Sequence, residues 1–128
     1  AFTGNDTVLG EDGNDTLSLF STSSDWVEGG NGADSIYSAS GNDTVLGGAG
    51  DDTISFTGGN FSIMSSDDTN DGDDRIVFSG AGSSGNDTIY AGEDDDIVSG
   101  DAGNDKICGQ DGNDTLAGND VCSLGAER

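Results

Sequence analysis

The chain is 128 residues long, sets 26 acidic side chains against three basic ones, and carries a formal net charge of -23 with only 30% apolar residues. So much repulsion around so little core excludes a domain held by burial alone, and so acidic a surface argues against nucleic acid or an anionic membrane as partner. Histidine is absent and Cys108 and Cys122 are the only thiols, which leaves nothing for histidine catalysis or a Cys/His zinc site.

Read in chain order, the sequence copies itself. Gly4-Asn5-Asp6-Thr7-Val8 returns as Gly13-Asn14-Asp15-Thr16-Leu17, Gly41-Asn42-Asp43-Thr44-Val45, Gly85-Asn86-Asp87-Thr88-Ile89 and Gly112-Asn113-Asp114-Thr115-Leu116, with variants between. The aliphatic residue two places after each Asp position marks the unit: Val8, Leu17, Val27, Ile36, Val45, Ile54, Ile63, Ile76, Ile89, Val98, Ile107 and Leu116. The step is nine residues, apart from ten before Val27 and thirteen on either side of Ile76, where loops are inserted near 65–68 and 78–81. Nine residues fit neither a straight strand of period two nor a whole number of helical turns, so the chain must turn inside each unit. Gly and Asn fill the first part, where positive φ is cheap, and a short strand such as Thr7-Val8-Leu9 or Thr53-Ile54-Ser55 follows.

Two units make a coil of about eighteen residues. Twelve units predict an all-β fold over residues 1–117, a right-handed parallel β-roll (a β-solenoid) of about six coils with the marker aliphatics facing inward in two rows. The absence of proline agrees, since inner strands must donate hydrogen bonds to a neighbour. Residues 118–128 do not repeat and are expected to form a tail that caps the last coil.

Two places before the marker stands Asp in eleven units, with Phe61 the exception. Alternation puts Asp15, Asp34, Asp52, Asp74, Asp96 and Asp114 on one edge and Asp6, Asp25, Asp43, Asp87 and Asp105 on the other. Carboxylates stacked about 5 Å apart repel by roughly 1 kcal/mol per pair in water and several at an effective dielectric near 20. A hard cation between successive carboxylates removes that repulsion, and Gly-rich turns offer carbonyls to complete an oxygen cage of the size calcium takes.

Gly47-Gly48-Ala49-Gly50-Asp51-Asp52-Thr53-Ile54-Ser55 and Gly29-Gly30-Asn31-Gly32-Ala33-Asp34-Ser35-Ile36-Tyr37 match every fixed position of the repeat G-G-x-G-x-D-x-U-x, so the chain resembles the RTX, or hemolysin-type, calcium-binding family. The resemblance implies calcium ions between neighbouring turns, each held by Asp carboxylates of one edge and by carbonyls of residues such as Gly13, Gly32, Gly50 and Gly112. Adjacent Asp pairs allow about eight ions, enough to offset roughly two thirds of the net charge. Departures are Asp94 at a glycine position, Phe61, and the glycine-free turn before Asp25. A full ladder is expected on the Asp15 edge and a gap on the other.

Cys108 and Cys122 are read as a disulfide pinning the tail, with two free thiols as the alternative. Trp26, Tyr37 and Tyr90 flank inward markers and are taken as surface packing rather than a sugar platform. An ice-binding solenoid is the alternative function, although Trp26, Arg75, Ile97 and Lys106 interrupt the outward Thr rows. The chain is not expected to be an enzyme; any catalysis belongs to another domain of a larger secreted protein, such as a protease, lipase or epimerase. The expected role is calcium-coupled folding outside the cell or at its surface, as a structural, spacer or stabilising module. Open end strands allow end-to-end self-association, and no apolar run is long enough to span a bilayer.

Overall fold

A computed structural model describes residues 3–64, 72–78, 85–100, 102–118 and 120–122. Its strands in chain order are β1 (Thr7–Asp12), β2 (Thr16–Leu19), β3 (Trp26–Asn31), β4 (Ser35–Ser38), β5 (Thr44–Ala49), β6 (Thr53–Phe56), β7 (Ser62–Met64), β8 (Arg75–Phe78), β9 (Thr88–Gly92), β10 (Ile97–Ser99), β11 (Lys106–Gln110), β12 (Thr115–Ala117) and β13 (Asp120–Cys122). The odd-numbered strands form one parallel sheet in sequence order and the even-numbered strands a second. The chain therefore crosses from sheet to sheet at every turn, which makes it a parallel β-solenoid with about eighteen residues per coil.

Register follows the markers. Val8 pairs with Val27, Val27 with Val45, Val45 with Ile63 and Ile63 with Ile89 on one sheet, while Leu17, Ile36, Ile54, Ile76, Val98 and Leu116 align on the other. Alternation along each short strand turns these side chains inward, and from Val27 to Ile107 they are buried in one cluster. Val8, Leu17 and Leu116 lie at its ends and are half-buried. Since Ile54 still pairs with Ile76, the thirteen-residue step adds chain without shifting the ladder. The expected insertion at 65–68 lies outside the described residues, and of 78–81 only Phe78 is described, as the last residue of β8 opposite Phe56.

Of the expected capping tail at 118–128, Gly118 and Asp120–Cys122 are described. Asp120–Cys122 adds a thirteenth strand, parallel to β11, with Val121 opposite Ile107 and Cys122 opposite Cys108. Outward residues also stack in register, so Thr7, Trp26, Thr44, Ser62, Thr88 and Lys106 make one row. Tyr37 meets Phe20 with ring centroids 5.3 Å apart, and Lys106 Nζ lies 2.9 Å from the Tyr90 hydroxyl. Trp26 and Phe20 are exposed.

Candidate metal centre

The turns between the sheets hold the acidic columns. On the Asp15 edge, the second and fourth positions of the units in which both are described take positive φ: Glu11 and Gly13, Gly30 and Gly32, Gly48 and Gly50, Gly92 and Asp94, Gln110 and Gly112. Glycine is needed there for a second reason, since a Cβ on Gly30 would run into the Glu11 carbonyl and one on Gly48 into the Gly30 carbonyl. Carbonyls of successive turns are thereby stacked along the edge. Asp94, which breaks the sequence pattern, holds φ 74 and keeps the fourth-position geometry.

All six Asp residues of this edge fall in one column. Oδ1 of Asp34, Asp52, Asp74, Asp96 and Asp114 accepts the backbone N–H of the preceding Asp at 2.8, 2.8, 2.8, 2.9 and 3.2 Å. Asp6, Asp25, Asp43, Asp87 and Asp105 occupy the opposite edge. There Asp25 accepts from Asp6, Asp43 from Asp25, Asp87 from Phe61 and Asp105 from Asp87. Phe61 stands in the carboxylate column, buried, with its ring 4.2 Å from that of Phe56. The gap expected on this edge is thus an aromatic plug.

The second carboxylate oxygen separates the units. Oδ2 of Asp6, Asp15, Asp34 and Asp105 is buried with no hydrogen-bond partner. Buried anionic oxygen without a donor is strongly unfavourable, and it is what a cation would satisfy. Oδ2 of Asp25 instead accepts from the Ser21 hydroxyl at 2.6 Å, and Oδ2 of Asp43 accepts from the Ser38 hydroxyl. Burial pushes the Asp87 carboxyl up to about 6, with the Phe61 N–H opposing and the Asp105 charge adding. It also raises Asp43, against the lowering effect of Ser38.

A second ladder, not anticipated from the sequence, runs one residue earlier. Asn14 Oδ1 accepts from the Ala33 N–H, Asn60 from Asn86, Asn86 from Asn104, Asp51 from Asp73 and Asp73 from Asp95. Here the later coil donates to the earlier, whereas in the Asp column the earlier donates to the later. The signal was present, because that position is Asn or Asp in ten of the twelve units.

The donor set is all oxygen, which fits a hard cation and offers nothing to zinc or copper. Among the described residues no group of three or more carboxylates or thiols surrounds one point. An ion on this scaffold would lie between two carboxylates of one column and draw its remaining ligands from turn carbonyls. Among proteins already classified, a family model for the RTX calcium-binding nonapeptide repeat, in four copies, matches residues 1–19, 21–60 and 81–116. No curated protein and no solved structure matches the chain.

Proposed function

Since the chain belongs to the family of RTX calcium-binding repeats, we propose that it is a calcium-gated fold, in which ions bound between successive turns allow the acidic columns to stack. The ligands are the carboxylates of Asp15, Asp34, Asp52, Asp74, Asp96 and Asp114, with carbonyls of turn residues such as Gly13, Gly32, Gly50 and Gly112. Asp6, Asp25, Asp87 and Asp105 are the candidates on the other edge, where both oxygens of Asp43 already accept hydrogen bonds. The observation that carries this reading is the row of buried, donorless Oδ2 atoms at Asp15 and Asp34 within a chain of net charge -23. Calcium suits these turns better than magnesium, which holds its waters and demands a tighter octahedron.

RTX repeats are typical of secreted proteins, and millimolar calcium outside the cell would order a chain that leaves it unfolded. Its role is that of a stiff structural or stabilising module in a secreted or surface protein. The outward row broken by Trp26 and Lys106 favours this over ice binding. We also read Cys108 and Cys122 as one disulfide: they are register partners on adjacent parallel strands, whose spacing of about 4.8 Å lies in the range a disulfide spans.

Far-UV circular dichroism during a calcium titration from chelator, with magnesium as control, tests the coupling. A cooperative change from disordered to β signal with calcium alone is expected. A chain already β-rich in chelator at neutral pH, or disordered throughout, overturns it.

A further inference from the structure

The two edges satisfy their carboxylates by different means. On the Asp15 edge, Gly10, Gly29, Gly47 and Gly109 stand five residues ahead of Asp15, Asp34, Asp52 and Asp114, and none offers a hydroxyl. On the other edge Ser21 and Ser38 donate to Oδ2 of Asp25 and Asp43, while the N–H groups of Asp6 and Asp25 occupy the corresponding Oδ1 atoms. Both oxygens of each carboxylate already hold a donor. The backbone differs as well: residues 20–25 contain no positive φ, and the turn before Asp43 contains only that of Gly41. These turns lack the paired left-handed residues that shape the carbonyl column opposite. The next level is the Phe56 and Phe61 pair, which supplies no oxygen side chain at all.

Resting on the calcium reading above, we propose that the edge from Asp25 to Phe61 is a calcium-free seam, with serine hydroxyls and an aromatic pair standing where ions stand on the opposite edge. Calcium then occupies the five intervals from Asp15 to Asp114 together with Asp6–Asp25, where Asp6 Oδ2 has no donor, and Asp87–Asp105, seven in place of the eight that adjacent Asp pairs allow. The roll is loaded along one side and hydrogen-bonded along part of the other.

Native mass spectrometry at saturating calcium, on the full chain with Asp43→Asn and Asp52→Asn variants, tests this. Asparagine keeps the Oδ1 acceptor, and its amide can donate to a rotated Ser38 hydroxyl. Asp43→Asn should bind as many ions as the parent with an unchanged calcium midpoint, whereas Asp52→Asn should bind fewer with a raised midpoint. Loss of ions from Asp43→Asn overturns the seam and leaves calcium binding standing; a parent that binds no calcium overturns the calcium reading itself. Unchanged counts in both variants overturn the placement of ions on the Asp15 edge, and the contrast with it. Anomalous scattering from calcium-loaded crystals of the parent needs no variant: density between Asp25 and Asp43 overturns the seam, and density confined to the other intervals supports it.

Discussion

Asp87 shows at the scale of one residue what a buried column demands. Its carboxyl, raised to about 6 chiefly by burial, keeps a proton in the calcium-free fold that the unfolded chain releases near 3.8. Between those values the fold holds more protons than the unfolded chain. The stabilisation is therefore complete below 3.8 and lost as pH rises through about 6. Calcium needs the opposite, an ionised carboxylate. In chelator, the β signal is expected to be stronger near pH 4 than near pH 7.5, and with calcium saturating this order should reverse. Circular dichroism at both pH values checks it, and an identical chelator spectrum would separate carboxylate protonation from folding.

Within one turn, backbone geometry rather than charge sets the tolerance. Gly48 and Gly13 both hold positive φ, but a Cβ at Gly48 meets the Gly30 carbonyl while one at Gly13 meets open space. Gly48→Ala should lower stability in saturating calcium by about 2 kcal/mol or more, and Gly13→Ala by less, read from thermal or denaturant melts.

The repeating units were legible in the sequence because Val, Ile or Leu every nine residues fixes both register and facing, as the pairs Val27 with Val45 and Ile36 with Ile54 bear out. Three features were not. Strand β13 follows Leu116 after a turn too short for the nine-residue period, so Val121 does not register as a marker. Ser21 and Ser38 sit in turns that read only as poor copies, since nothing in the pattern says that a hydroxyl can reach the carboxylate four or five residues on. Asp94 reads as a defect because composition cannot show that an aspartate has taken the left-handed conformation.

At the scale of the whole molecule, each described strand pairs within its sheet only with strands of the coils before and after it, so stability is a sum along the axis. The proposed Cys108–Cys122 link ties β13 to β11 and acts on the last coil alone. Reduction in saturating calcium should speed hydrogen exchange between Lys106 and Cys122 and leave the protection of Val27 to Ile76 unchanged; slower or faster exchange throughout would mean that the end governs the whole stack.

The parallel ladder also has a mechanical side. Strands in each sheet lie side by side across the axis, so a pull on the two termini loads the outermost coil first and peels it away. Each coil released adds about 60 Å of slack, eighteen residues at roughly 3.4 Å. On the calcium reading proposed above, such a roll is expected to lengthen coil by coil under tension, with a longer step where the thirteen-residue spacings flank Ile76, and calcium is expected to raise the force at which each coil gives way.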